Sequence, residues 1–226
     1  MRLIHLADLH FGREEAGAVS ALLDAVHVLN PGIIVVSGDL THRGLRSQFR
    51  AAARFLQQLP VTPICVPGNH DVPLWNPFAR LARPFAGYRR WIGRRMEAFF
   101  EDELLAIATL NTARRWTFTE GRVREAQCNW VEQRFAQARA PLRVIVSHHP
   151  LDLPRDDRKA VTMTRAASPA ACLRQVDRVQ DVVVRVVDAA MHGARLLQTR
   201  LKRRSDRARR EFKRSHLPSY ARRGNP

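Results

Sequence analysis

Four short segments of the chain concentrate carboxylate, amide and imidazole side chains. They are "DLH" at residues 8–10, "GDLTHRG" at 38–44, "GNHD" at 68–71 and "SHHP" at 147–150. Each closes an apolar run: "RLIHLA", "IIVVSG", "VTPICV" and "RVIVS". In extended backbone, residues i and i+2 point the same way, so Asp8 and His10 can reach one ion together. A carboxylate has two oxygens, so Asp39 could bridge two ions. Oxygen and imidazole donors without thiolate suit Mn²⁺, Fe or Zn²⁺ rather than an iron–sulfur centre or a Cys-rich structural zinc. Two ions about 3.5–4 Å apart can share a hydroxide and clamp a phosphoryl group.

The elements that must position these donors follow from periodicity. "AGAVSALLDAVHVLN" carries apolar residues at helical spacing and stops at Pro31-Gly32. "IIVVSG" is a continuous apolar run, the signature of a strand buried on both faces. "RSQFRAAARFLQQL" is a helix and "VTPICV" a strand, which completes a β-α-β-α-β order. That order predicts a layered α/β domain with a largely parallel sheet. Further on, "FAGYRRWIGRRMEAFFED" is expected to be a helix, with Tyr88, Trp91, Ile92, Met96 and Phe99 or Phe100 toward the core. "LLAIATLNT" is a strand, "TFTEGRV" a loop, and "EAQCNWVEQRFAQA" a helix with Trp130, Val131 and Phe135 as its stripe. In open α/β sheets, ligands bind beyond the carboxyl ends of the strands, which is where all four donor segments fall.

In this order and at this spacing, the four segments resemble the calcineurin-like metallophosphoesterase superfamily. The resemblance covers roughly residues 1–155 and is nearest to small bacterial enzymes related to class III cyclic-nucleotide phosphodiesterases. It implies an α/β fold, a four-layer α/β/β/α sandwich. It implies an enzyme that hydrolyses phosphodiester or phosphomonoester bonds with a hydroxide held between two divalent metals (Mn, Fe or Zn). Asp8 and His10 would hold the first metal, Asp39 would bridge, and Asn69 and His148 would hold the second. His70 would give a proton to the leaving oxygen or stabilise its charge, and Asp71 would orient His70. The implied partner is a phosphate ester, with a cyclic nucleotide as one candidate. His42 and His149 are expected beside the site or at the surface, and His5 and His27 are expected to be structural.

The chain departs from the family pattern after the fourth segment. Family members carry a further Gly-His-x-His motif. The nearest match here is "VVVRVVDAAMHGARLLQ", in which His192-Gly193 is followed by Ala194, Arg195 and Leu196; the later His216 stands alone. The expectation is therefore a metallophosphoesterase domain at residues 1–159, incomplete at its C-terminal end and lacking the last sheet strand. Residues 160–226 form an atypical Arg-rich segment, helical or disordered. This segment holds 16 Lys+Arg and 5 Asp+Glu, a net of +11, within a chain whose net charge is +17. Such a tail could hold nucleic acid, or it could be a solvated end. Its Arg-rich, Lys-poor composition also fits a frame-shifted end of a GC-rich gene, in which case another frame would encode Gly-His-x-His. A degenerate member with weak or no activity is a further alternative.

The composition bounds the rest. No apolar run approaches the roughly 18–20 residues of a membrane span, and "MRLIHLADLH" does not read as a signal peptide. Cys65, Cys128 and Cys172 lack metal-ligand spacing. Cys65 and Cys128 are expected to be core thiols, and a reducing cytoplasm fits best. Residues 73–100 are the expected cap or wall of the pocket. There Arg80, Arg83, Arg89 and Arg90 could hold a phosphate or stand as solvated charges.

Overall fold

The computed structural model describes residues 1–15, residues 17–149 and the backbone strand at residues 186–188. In chain order the first elements are β1 (Leu3–Ala7), α1 (Ala18–Leu29), β2 (Ile33–Ser37), α2 (Arg46–Gln57), β3 (Ile64–Val66), α3 (Pro77–Ala82) and α4 (Ala86–Trp91). They are followed by β4 (Phe99–Glu101), β5 (Leu105–Leu110), α5 (Glu125–Gln137), β6 (Leu142–Ser147) and β7 (Val186–Asp188). One sheet has the order β3-β2-β1-β7 and its pairings are parallel. The other has the order β4-β5-β6, with β4 antiparallel to β5 and β6 parallel to it.

The two faces of β2 explain the layers. All five of its residues are buried. Ile34 and Val36 point to one side, where they join Ile4 and Leu6 under Val26 of α1, Phe49 and Phe55 of α2, and Tyr88 of α4. Ile33 and Val35 point to the other side, where they and Val66 meet Leu105 and Ile107 of β5 and Val144 and Val146 of β6. On the far face of the second sheet, Ala106, Ala108 and Leu110 pack under Val131 and Phe135 of α5. Helices, sheet, sheet and helix therefore stack as four layers around three apolar clusters. The expected α/β/β/α sandwich is the observed one.

Two expectations are corrected. The segment at residues 85–102 is not one helix. α4 ends at Trp91, and Phe99–Glu101 instead pairs as β4 with Ala106–Ala108 of β5. Gly93 interrupts the helical run, and pairing with a free sheet edge outweighs local helix propensity. The apolar stripe is split accordingly: Tyr88, Trp91, Ile92 and Met96 serve the first cluster, Phe99 the third, and Phe100 is exposed. The first sheet is also not short of a strand, because β7 pairs with β1 from His5↔Val186 to Ala7↔Asp188. Cys65 is a free thiol packed against the first cluster. Cys128 packs against the third cluster but is disulfide-bonded rather than a thiol.

Candidate metal centre

The donor segments leave the sheets at one end and are tied together by their backbones. Asp8 N–H donates to the Gly38 carbonyl (3.3 Å), and His10 N–H donates to the Asp39 carbonyl (2.9 Å). The loops after β1 and β2 thus run side by side. Asp8, His10 and Asp39 adopt φ of 55°, 44° and 50°. Such left-handed conformations are uncommon outside glycine and gather where surrounding structure holds a functional side chain in place. Two glycines make the close approach possible. A Cβ on Gly68 would fall 2.1 Å from Asp39 Oδ1. A Cβ on Gly38 would fall 2.8 Å from both Gly68 N and His148 Nδ1.

Asp39 is the buried centre of the cluster. Its Oδ2 faces His10 Nε2 at 3.7 Å and His70 Nε2 at 4.0 Å, and its Oδ1 faces His148 Nε2 at 3.4 Å. Oδ1 also accepts the His70 backbone N–H (2.9 Å). Asp8 Oδ1 lies 3.7 Å from His10 Nε2. Donor atoms of Asp8, Asp39 and His148 form one mutually close group, and those of His10, His42 and His70 form another, all within 4.8 Å of one another in each. Two ligands each about 2.1 Å from one cation lie about 3–4 Å apart, which is the spacing of these pairs.

The hydrogen bonds assign the ring nitrogens. His148 Nδ1–H donates to the Ser37 carbonyl (2.9 Å), which turns Nε2 toward the cluster. That Nε2 lies 2.9 Å from Asn69 Oδ1 and 3.4 Å from Asp39 Oδ1, close enough for the three atoms to share one cation. Likewise His70 Nδ1–H donates to the His42 carbonyl (2.7 Å), which leaves Nε2 facing the cluster. A backbone carbonyl on the far nitrogen is how metal-site and catalytic imidazoles are commonly oriented. His10 Nδ1 is buried without a partner. The convergence of carboxylate, amide and imidazole donors at one buried carboxylate fits a cation-binding site.

Protonation follows the same contacts. The Asp8 carboxylate beside the ring raises the His10 pKa above its usual value; burial opposes this, and the charges of Asp39 and Asp71 add to it. Burial pushes Asp8 up, but the neighbouring His10 ring and the charges of His148 and His70 outweigh it, so its carboxyl lies below the usual range. Cations and protons compete for these sites.

Asp71 does not touch the His70 ring, which corrects the expectation that it orients that ring. It is fully buried and accepts from Gly68 N (2.9 Å), Leu40 N (3.2 Å), Thr41 N (2.9 Å) and Thr41 Oγ1 (2.9 Å). It therefore locks the loop after β2 to the loop after β3. Burial and the charge on Asp39 push its carboxyl up to about 6, against the pull of these donors. The residue that holds His70 is His42, through its carbonyl. Its ring also stacks on that of His70, with centroids 5.7 Å apart at 20°. Its position three residues after Asp39 in the same segment was the available signal.

His149 is buried next to the site. Its Nδ1 lies 2.7 Å from Thr112 Oγ1, and burial followed by the His148 charge lowers its pKa to about 4. His5 meets Ser37 Oγ and His27 meets the Gln58 carbonyl, structural contacts as expected. Arg80 is neither a phosphate holder nor a solvated charge. It is buried, donates to the carbonyls of Arg115 (2.7 Å), Thr117 (2.6 Å) and Pro73 (3.2 Å), and lies over the Phe118 ring at 4.1 Å. His192, His216 and Cys172 lie outside the described residues.

A family model for calcineurin-like phosphoesterases matches residues 1–184. The chain belongs to that family. It is 24% identical over 122 residues to a probable cyclic nucleotide phosphodiesterase of Synechococcus sp., covering 54% of this chain and 44% of the relative. It is 29% identical over 165 residues to a probable cyclic nucleotide phosphodiesterase of Rhodopseudomonas palustris, covering 67% of this chain and 58% of the relative. The chain thus spans about half the length of these curated relatives. Among solved structures, a purple acid phosphatase from yellow lupin seeds superposes with a TM-score of 0.52 at 14% identity, covering 67% of this chain and 31% of that one. At that identity the likeness is one of fold. No helix among the described residues is long and apolar enough to cross a membrane.

Proposed function

We propose that this calcineurin-like phosphoesterase is a metal-dependent hydrolase of phosphodiesters, with two divalent cations at the strand ends. Asp8, His10 and Asp39 would hold one cation, and Asp39, Asn69 and His148 the other. When bound, such cations acidify water and neutralise the anionic ester. The observation that carries this reading is Asp39. It is buried, with one oxygen toward His10 and the other toward His148, whose Nε2 also meets Asn69 Oδ1 at 2.9 Å.

The chain's own residues supply the remaining chemistry. His70 Nε2 faces the cluster from a ring fixed by the His42 carbonyl, which suits it to pass a proton to the departing oxygen. Asp71 keeps the loops of Asp39 and His70 in register. The curated relatives named as probable cyclic nucleotide phosphodiesterases favour a cyclic nucleotide as substrate. Mn²⁺, Fe²⁺ and Zn²⁺ are the candidate cations from the donor chemistry.

The test is hydrolysis of an aryl phosphodiester and of a 3′,5′-cyclic nucleotide by the full chain loaded with each cation in turn. Activity with at least one cation, lost in Asp39→Asn, is expected. Hydrolysis of neither substrate with any cation would sink the reading. A degenerate member is the second reading, favoured by the absence of Gly-His-x-His in the sequence. Elemental analysis separates the two: the degenerate form purifies with far less than stoichiometric metal and does not take it up on dialysis. The nucleic-acid reading rests on the segment at residues 160–226, which apart from β7 lies outside the described residues.

A further inference from the structure

A cavity of about 890 Å³ opens between α4 and the segment that follows β5. Its wall includes Arg83, Arg89, Arg114, Arg115, Arg122 and Arg124, and no Asp or Glu. Arg124 is paired with Glu97 at 3.5 Å. The other five form no ion pair among the described residues. Arg115 spends one N–H on the Leu81 carbonyl (2.7 Å) and keeps the rest of its fork. Arg122 is more telling, because its Nε is buried and has no acceptor. Guanidiniums gathered around one concavity repel each other and concentrate positive potential there. A planar fork is the donor geometry that matches phosphate oxygens.

We propose that this cavity binds the oligophosphate chain of a nucleotide-sized molecule, such as a nucleoside triphosphate. Five unpaired guanidiniums exceed the charge of a single phosphate. The volume exceeds what inorganic phosphate fills and falls within the range of small-molecule pockets. Trp116 lines the same cavity and is 68% exposed, which offers a plane for a base. Arg80 positions this wall, since it holds the carbonyls of Arg115 and Thr117. The cavity is separate from the donor cluster: its wall includes Asn111 and Ala113 but none of the cation ligands. Binding there does not depend on the phosphoesterase reading.

The test is isothermal titration of the full-length chain, carried in the Asp39→Asn variant with chelator present, so that cation-bound phosphate does not contribute. Tripolyphosphate and ATP are expected to bind and adenosine not to. The double variant Arg89→Gln/Arg122→Gln is expected to weaken ATP binding at least tenfold. The tail variant Arg203→Gln/Arg204→Gln is expected to leave it unchanged. Trp116→Ala is expected to bring ATP down to the affinity of tripolyphosphate. Should the double variant fail to fold, the single exposed variants Arg83→Gln and Arg89→Gln each carry the test, with a threefold or greater loss expected. Unchanged binding in the pocket variants, loss in the tail variant instead, or saturation only by single-stranded DNA would overturn the proposal.

Discussion

His70 and Asp71 are neighbours in sequence with different physical tasks. His70 presents Nε2 to the cluster and is about one-third exposed, whereas Asp71 is sealed and meets only N–H and O–H donors. Their substitutions should therefore separate. With His70 as the proposed proton donor, His70→Gln is expected to lower kcat about 10²–10⁴-fold while metal content and melting temperature hold. Asp71→Ala leaves the N–H groups of Gly68, Leu40 and Thr41 buried without an acceptor. Each orphaned donor costs about 1–3 kcal/mol, so a loss of at least about 3 kcal/mol is expected in urea unfolding. If His70→Gln unfolds early and Asp71→Ala melts normally, the two assignments are reversed.

At the scale of elements, the register of β5 on β6 decides what meets beside the site. Leu110 pairs with Ser147, so Thr112 and His149 leave the sheet together and meet through Oγ1 and Nδ1. Burial holds His149 neutral, with a pKa of about 4 against 6.5 unfolded. The unfolded chain therefore binds this proton first as pH falls. The stability from the neutral ring is fully present above about pH 6.5 and is lost progressively as pH falls toward 4. Urea midpoints of the metal-free chain are expected to drop across that window, and less steeply in His149→Gln; equal slopes would contradict the buried neutral ring. The strand ends that carry these residues were legible in the sequence, because the apolar runs stop abruptly at Gly38 and Pro67 and the donors follow. The convergence of Asp8, His10, Asp39, Asn69 and His148, the proposed cation ligands, was legible for the same reason. What holds His70 was not, because its partner is the backbone carbonyl of His42, and any residue type has one. The burial of Arg80 was equally hidden, since two of its three acceptors are carbonyls about 35 residues further along. The split of residues 85–102 depends on an open edge of β5 that local periodicity does not report.

At the largest scale, the described residues form two sheets packed through Ile33, Val35 and Val66 on one side and Leu105, Ile107, Val144 and Val146 on the other. The donor cluster sits at the end of that interface and draws from both sheets: Asp8, Asp39 and Asn69 follow strands of the first, and His148 follows β6 of the second. Cations bound there would join the sheets in the folded chain and find no such site in the unfolded one. Binding would then stabilise the whole domain by mass action, about 2.7 kcal/mol at 100 times Kd. For a chain of this size that is a rise in melting temperature of roughly 5–10 °C. Mn²⁺ or Zn²⁺ added to the chelator-treated chain is expected to give this rise, and Asp39→Asn to abolish it, because that change would take an anionic donor from both proposed cation sites at once. His148→Ala should remove part of the rise, since the Asp8 and His10 side remains. A full rise in Asp39→Asn would place the cation elsewhere on the molecule and separate metal binding from the strand-end cluster.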